Sequence, residues 1–461
     1  MSSGPHPAAV VSAGADTIAA IATAVAPGQG SVAIVRLSGP TAEAIARRLF
    51  QAPGDQVWDS HRVLYGHVVA PGSGERIDEA LLLLMRAPRS FTREDVVEFH
   101  CHGGLVAVRR VLDLVLAAGA RLATAGEFSQ RAFLNGRLDL SRAEALMDLV
   151  AARSRRAAQL AMAGLDGGVQ RRIGALRERL LDQLAELEAR VDFEEDLPPL
   201  DGGAVQAELA AVQAELECLV ADGQQGELLR QGLRVAIIGR PNVGKSSLLN
   251  LLSRRDRAIV TALPGTTRDL LESDLVLEGV PLTLIDTAGI RATDDPVERL
   301  GIERSHQALD AADVVVLLYD LAAGWTPADS QLRDRVPAGV PLLLVGNKAD
   351  LLDPRPADSP AATAALSEPS RSAAADLLGS APGAPVHISA LQGLGREQLA
   401  AALLRLCGAS DLEGLQVALN ARQRELASQA ATALAASQRA AAEDRKSTRL
   451  NSSHSSVSRM P

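Results

Sequence analysis

Aromatic side chains are nearly missing from this chain: Phe, Trp and Tyr make up 2% of its 461 residues, against 47% hydrophobic residues in all. Its cores must therefore be aliphatic, and the many alanines suggest closely packed helices. Cysteine is scarce as well. Cys101, Cys218 and Cys407 lie far apart with no CxxC spacing, which argues against a disulfide framework or a structural zinc and for a reducing, cytoplasmic setting. No apolar run approaches membrane-spanning length, and residues 1–15 lack the basic and apolar regions of a secretory signal. An excess of basic charge is also absent. The formal net charge is −9, whereas a protein that coats nucleic acid non-specifically is usually basic. Any RNA contact must then be local. One candidate patch is Arg153, Arg155, Arg156, Arg171, Arg172, Arg177 and Arg179; a solvated helix face would account for the same residues.

What is present divides by pattern. The length allows two to four domains with full cores. Residues 16–135 read as mixed α/β, with strand-like runs at Ser31 to Leu37, Ala80 to Met85 and Asp95 to His100 between helical patterns at Thr41 to Phe50 and Leu105 to Ala118. Over 136–227 the pattern becomes helical: Leu176, Leu180, Leu184, Leu187 and Val191 recur at spacings of four and three, and Leu209, Val212, Leu216 and Leu219 continue it beyond a break at Asp192 to Pro199. Residues 228–407 read as a separate α/β domain, with an Ala/Pro/Ser-rich surface insertion from Pro354 to Pro385. A helical pattern resumes at Leu415 to Glu443, within 408–445, so this domain is expected to be inserted into one helical bundle. The last residues, 446–461, are rich in Ser, Arg and His without periodicity, and are expected to be disordered or non-native.

The inserted region carries five short motifs in order. Gly239-Arg-Pro-Asn-Val-Gly-Lys-Ser246 follows the apolar run Leu233 to Ile238 and opens a helix-like stretch, Ser247 to Leu252. Its glycines let backbone N–H groups curl round phosphate oxygens at a helix N-terminus. Lys245 should reach the β- and γ-phosphates, and the Ser246 hydroxyl should ligate Mg²⁺. Thr266-Thr267 comes next, then Asp286-Thr-Ala-Gly289 at the tip of an apolar strand, where the Gly289 N–H can sense a γ-phosphate. Asn347-Lys-Ala-Asp350 closes the strand Leu342 to Val345, and Ser389-Ala390 completes the set. The Asp350 carboxylate can accept both guanine N1–H and the 2-amino group. Adenine offers an acceptor at N1 and would leave that carboxylate unpaired. One GxxxxGK could be an ordinary βα turn; five motifs in this order imply a guanine-nucleotide site.

Two details set it apart from a generic switch. Ile290 follows Gly289 where many small GTPases carry a water-positioning Gln, so another group must orient the attacking water. Glu298, at the start of a helical pattern, could do so directly or through a second water. It could equally be a helix N-terminal Glu favoured by the dipole. Within the P-loop, the Asn242 side chain and backbone carbonyls from Thr261 to Thr266 could hold a monovalent cation; alternatively, Asn242 merely tolerates a tight turn.

Outside these motifs, several stretches resemble the tRNA uridine-modification GTPase family (MnmE, also called TrmE), from Asp16 to about Arg445. They are Asp16-Thr-Ile-Ala-Ala-Ile-Ala-Thr23, Ser31-Val-Ala-Ile-Val-Arg-Leu-Ser-Gly39, Ser90-Phe-Thr-Arg-Glu-Asp-Val-Val-Glu-Phe-His-Cys-His-Gly-Gly104 and Gly126-Glu-Phe-Ser-Gln-Arg-Ala-Phe-Leu-Asn-Gly-Arg-Leu-Asp-Leu140. The resemblance implies a multidomain α/β plus all-α fold: an N-terminal α/β folate-binding and dimerising domain, a discontinuous helical bundle and an inserted Ras-like P-loop GTPase domain. It implies GTP hydrolysis by G domains paired around potassium. It further implies modification of C5 of the tRNA wobble uridine, leaving an aminomethyl or carboxymethylaminomethyl group. That reaction would be made with an FAD-containing partner protein, and a reduced folate (5,10-methylene- or 5-formyltetrahydrofolate) would supply the one-carbon unit.

Carried onto this sequence, the folate contacts fall on Arg36, Glu98 and Arg137. Potassium falls on Asn242, Thr261, Leu263 and Thr266, and Mg²⁺ on Ser246 and Thr267. Nucleotide contacts are expected from Asn242, Val243, Gly244, Lys245, Ser246, Ser247, Thr261, Thr266, Thr267, Asp286, Thr287, Ala288, Gly289, Asn347, Lys348, Asp350, Ser389, Ala390 and Leu391, with Lys245, Thr267 and Glu298 catalytic. Arg137 stands where a Lys also occurs, which keeps the charge but changes the hydrogen-bond geometry. Members end in Cys-x-Gly-Lys, whereas this chain ends Ser458-Arg-Met-Pro461, so a truncated or chimeric C-terminus is expected. His100 and His102 flank Cys101 on one strand face; two imidazoles without a third ligand favour packing, or a supporting role near the folate pocket, over metal. A ribosome-assembly GTPase is the nearest alternative, but it would carry a basic RNA-binding module after the G domain. A GTP-gated scaffold is the other, against which Asp286, Thr267 and Glu298 speak.

Overall fold

The computed structural model describes residues 16–25, 30–192, 198, 200–253, 272–286, 309–352, 385–408 and 414–457. They divide into two compact units, one up to Glu144 and one from Ala145.

The first unit contains β1 (Ile18–Ile21), β2 (Val32–Ser38), α1 (Ala42–Leu49), β3 (Phe50–Gln51), β4 (Arg62–Val69), β5 (Arg76–Met85), β6 (Val96–His102), α2 (Leu105–Ala117), β7 (Arg121–Leu122) and α3 (Glu127–Leu134). Its strands form one sheet in the order β3-β4-β5-β6-β2-β1-β7, antiparallel except where β7 joins β1. Alternation sorts the side chains. Val35 and Leu37, Leu82 and Leu84, and Val97 and Phe99 pack with Ile45 and Leu49 of α1 and with Val108, Val111 and Val115 of α2. The intervening residues, among them Arg36, Glu98 and His100, belong to the opposite face. The expected strands and helices of this region are all found, displaced by a few residues at their ends.

The second unit contains α4 (Leu140–Ala151, beginning before the division), α5 (Arg155–Leu165), α6 (Gly168–Asp192), α7 (Gly202–Gln231), β8 (Leu233–Gly239), α8 (Lys245–Ser253), β9 (Glu272–Leu277), β10 (Val280–Asp286), β11 (Val314–Asp320), α9 (Pro327–Arg333), β12 (Leu342–Asn347), β13 (Val386–His387), α10 (Arg396–Leu406) and α11 (Ala421–Val457). The sheet runs β13-β12-β11-β8-β10-β9, parallel but for β9. Its central strands are apolar on both faces, as a covered parallel sheet requires. Val235, Ile237, Val314 and Val316 point into one core, and Ala236, Ile238, Val315 and Leu317 into the other. The first core also takes in Leu160 of α5, Leu229 of α7, Leu415 and Ala418. The α/β domain and these helical parts thus share a core.

Three expectations change. The stripe on α6 is buried only near its start: Leu176 is 4% exposed, but Leu184 is 49% and Leu187 37% exposed, because the core shared with α7 and α11 takes in α6 only as far as Leu180. The helix expected from Leu415 begins at Ala421 instead. Before it, Leu415, Val417, Ala418 and Leu419 are all buried in a non-helical segment, whose carbonyls are taken by arginines: Arg156 Nη2 donates to Leu415 O at 2.6 Å and Arg230 Nη2 to Leu419 O at 2.5 Å. At the other end, α11 continues to Val457, past Arg445, since no Gly or Pro occurs between Ala421 and Val457 to stop it. The expected insertion, Pro354 to Pro385, lies outside the described residues except for Pro385, as does most of the break after Asp192.

Candidate functional site

The strand order reverses at β8, whose neighbours are β10 on one side and β11 on the other. In open α/β sheets the crevice outside the carboxyl ends at such a point receives ligands. Gly239 ends β8, Asp286 ends β10, Asp320 ends β11 and Asn347 ends β12, while Ser389 lies two residues beyond β13. Four of the five sequence motifs are therefore brought to one edge by topology alone.

The P-loop has the shape its glycines permit. Gly244 has φ +101, and a Cβ added there would collide with Asn347 Nδ2. Asn242 is left-handed at φ 63 with an exposed side chain, a backbone that Asn tolerates in a tight turn. Val243 is buried in the sheet core, anchoring the loop from below. Lys245 Nζ donates to Gly239 O at 2.8 Å and to Arg240 O at 3.0 Å, curled over the cradle its ammonium would share with phosphate. Ser246 is exposed in the first turn of α8, and its hydroxyl has no protein partner among the described residues, which fits a metal ligand. Ser247 follows it in the same turn.

The base end is tied to the phosphate end by one side chain. Asn347, 3% exposed, donates from Nδ2 to Val243 O at 2.8 Å and accepts Ala390 N on Oδ1 at 2.9 Å. Ser389 Oγ donates to Asp350 Oδ1 at 2.5 Å, orienting that carboxylate. Lys348, at φ 65, pairs with Asp320 at 2.6 Å, and Leu391 is 79% exposed. Thr261, Leu263, Thr266, Thr267, Thr287, Ala288, Gly289, Ile290 and Glu298 lie outside the described residues, and Asp286 is described only in its backbone.

In the first unit, Arg36 and Glu98 are direct partners across β2 and β6. Arg36 Nε donates to Glu98 Oε1 at 2.7 Å, His100 Nε2 lies 3.1 Å from Glu98 Oε2, and the guanidinium sits 5.6 Å over the Phe128 ring. Both carboxylate oxygens are thus held. Arg137, on the turn after α3, is exposed and makes no ion pair among the described residues. His102 turns to Asp78 at 2.7 Å, and the described residues contain no group of three or more His, Cys, Asp or Glu side chains placed to hold a metal.

Sequence reasoning missed several residues here. Phe128 flanks the Arg36–Glu98 pair, and Asp320 sets Lys348. Glu127 was quoted only as part of a signature; it accepts Arg121 Nη2 at 2.7 Å, Arg131 Nη2 at 3.1 Å and Thr124 N at 2.8 Å. The Arg121 guanidinium beside it, with burial opposing and the Thr124 and Arg131 hydrogen bonds adding, holds its carboxyl down at about 2. The arginine patch resolves mostly into pairs: Arg179 with Glu208 and Glu215, Arg177 with Glu178, Arg172 near Asp222 and Arg153 near Asp274. That is a solvated, charge-balanced face.

Two family models match the chain: the N-terminus of the GTP-binding protein TrmE over residues 17–137, and the MnmE helical domain over residues 140–458. The tRNA modification GTPase MnmE of Synechococcus sp. (strain RCC307) is 67% identical over 427 residues, spanning 92% of this chain and 89% of that protein. The protein of the same name from Prochlorococcus marinus (strain MIT 9303) is 64% identical over 428 residues, or 93% and 89% of the two chains. Among solved structures, a GDP–AlF4⁻-bound Era variant of Aquifex aeolicus aligns at a TM-score of 0.31 with 30% identity, covering 38% of this chain and 56% of that one. With sheet order, P-loop and base-end network in place, the two family models and the Synechococcus and Prochlorococcus relatives make the chain a member of the MnmE (TrmE) family of tRNA modification GTPases.

Proposed function

We propose that this GTPase is potassium-activated and works with an FAD-containing partner protein on C5 of the wobble uridine of certain tRNAs, with a reduced folate supplying the one-carbon unit. The observation that best supports the nucleotide part is the Asn347 side chain, which holds the P-loop and the base end in one hydrogen-bonded frame. Within that frame the backbone N–H groups from Asn242 to Ser246 would bind phosphate oxygens, and Lys245 would exchange its two carbonyl partners for the β- and γ-phosphates. Asp350, oriented by Ser389, would accept guanine N1–H and the 2-amino group. Mg²⁺ would be held by Ser246 and Thr267, and would neutralise charge developing on the phosphates. Potassium would fall to Asn242 with the backbones of Thr261, Leu263 and Thr266, adding positive charge at the same place. The exposed Asn242 amide is compatible with that role. Glu298 is assigned the orientation of water.

For the first unit, the Arg36–Glu98 pair, on the sheet face opposite α1 and α2 and beside Phe128 of α3, is the favoured folate contact, with Arg137 as the third expected contact. A homodimer through this unit and a cytoplasmic location complete the proposal; no helix among the described residues is long and apolar enough to cross a membrane. The test is GTP turnover in potassium chloride against sodium chloride at matched ionic strength. Potassium should raise the rate at least tenfold, roughly what one well-placed cation contributes to transition-state stabilisation. Equal rates would leave a GTPase without the cation-assisted step.

A further inference from the structure

One charged group at the carboxyl edge of the sheet belongs to none of the nucleotide motifs. Asp320 closes β11, directly opposite Asn347 at the end of β12. Its Oδ1 accepts the amides of Ala322 at 2.9 Å and Ala323 at 3.3 Å, which fixes the direction of the carboxylate. Its Oδ2 is thereby aimed at Lys348 Nζ, 2.6 Å away. Lys348 has φ 65, a left-handed backbone that a lysine seldom adopts. Asn347, which precedes it, is locked to Val243 and Ala390, and Asp350, two residues on, is locked to Ser389. Both flanks of Lys348 are thus held by the base-end network, and the lysine stem is held by Asp320.

We propose that Asp320 is a positioning residue of the base pocket, acting on guanine-nucleotide affinity through Lys348; this rests on reading Asn347, Asp350 and Ser389 as the base end. The physical reason is preorganisation. A free lysine stem samples many rotamers, and ordering it on binding lowers affinity. A charge-assisted bond to a carboxylate that is itself held by two amides orders the stem beforehand. An ordinary surface ion pair would contribute little. This one differs because the side chains are only 32% and 16% exposed and the acceptor is fixed by the backbone.

The test uses the full chain and a fluorescent GDP, with dissociation constants and off-rates measured for wild type, Asp320→Asn, Lys348→Met and the double variant. Asparagine keeps an oxygen for the Ala322 and Ala323 amides and removes the charge facing Lys348. Asp320→Asn should weaken GDP binding about tenfold, chiefly through a faster off-rate. In the Lys348→Met background the same change should do nothing further. Asp320→Ser, which can also accept the turn amides, should match Asp320→Asn, and serves if that variant does not fold. An unchanged dissociation constant, or an equal loss in both backgrounds, overturns the proposal. Failure of the wild type to bind GDP would instead overturn the base-end reading, and the proposal with it.

Discussion

Gly244 shows how a single missing side chain couples the two ends of the nucleotide site. Its φ of +101 is one that L residues avoid, and the space a Cβ would need is occupied by the Asn347 amide. Gly244→Ala therefore strains the P-loop by about 1–3 kcal/mol and displaces the side chain that joins Val243 to Ala390. GDP affinity should fall by more than tenfold, and the melting temperature should fall with it; calorimetric titration and a thermal melt would check both. A melt that drops while GDP affinity holds would separate the loop from the base end. The motif glycines were legible because only glycine meets such a backbone demand. Asp320 was not. A lone carboxylate at a strand end is commonplace, and only the register with Asn347 and the distance to Lys348 give it meaning. Arg93 was likewise opaque: it stands at φ 60, a left-handed backbone that favours glycine, and its side chain reaches Asn135 O at 3.0 Å.

At the scale of elements, periodicity located most strands and helices, and failed where a short apolar stretch fits either period. Leu415, Val417, Ala418 and Leu419 form a short buried run with only Gln416 exposed among them, and it precedes the helix instead of opening it. The start of α11 was nonetheless written in the chain: Gln423 N donates to Asn420 Oδ1 at 2.8 Å and Asn420 N to Gln423 Oε1 at 3.2 Å, a reciprocal cap three residues apart. The Gly126-to-Arg131 signature also gains a physical account. Gly126, at φ 78, turns the chain into α3, while Glu127 gathers Arg121, Arg131 and Thr124. Glu127 has a depressed folded pKa, about 2 against an ordinary 4.5. Its contribution is complete above about pH 4.5 and is lost as pH falls through about 2. Glu127→Gln should thus lower protection of the 121–135 backbone at neutral pH and flatten its loss on acidification. Hydrogen exchange followed by mass spectrometry at pH 7 and at pH 3 would show this. Equal acid sensitivity in both proteins would assign the acid loss to Asp16 and Glu43, whose carboxyls are also held low by arginines.

At the scale of the second unit, the α/β domain is not an independent bead on a helical string. Leu160, Leu229, Leu415 and Ala418 lie in the core that backs β8 and β10. The contact at α7 is so close that a Cβ on Gly226 would collide with Ala418. Sequence pattern gave each part its type, but not this fusion, since side chains that meet across more than 180 residues leave no periodic mark. A shared core has a thermodynamic consequence. GDP at 100 times its dissociation constant stabilises the folded state by about 2.7 kcal/mol, and that gain must reach every element that unfolds with the nucleotide site. Added GDP should therefore slow hydrogen exchange in α5 around Leu160 and in the last turns of α7 around Leu229, along with β8 and β12. Protection confined to the sheet and the P-loop would mean that these helices open on their own, and that nucleotide occupancy is not passed to the helical part through this core. If it does extend to α5 and α7, Leu160→Ala, which costs about 2–5 kcal/mol at a buried leucine, should weaken GDP protection most in α5, where the substitution sits, and less in the P-loop, whose Val243 shares that core.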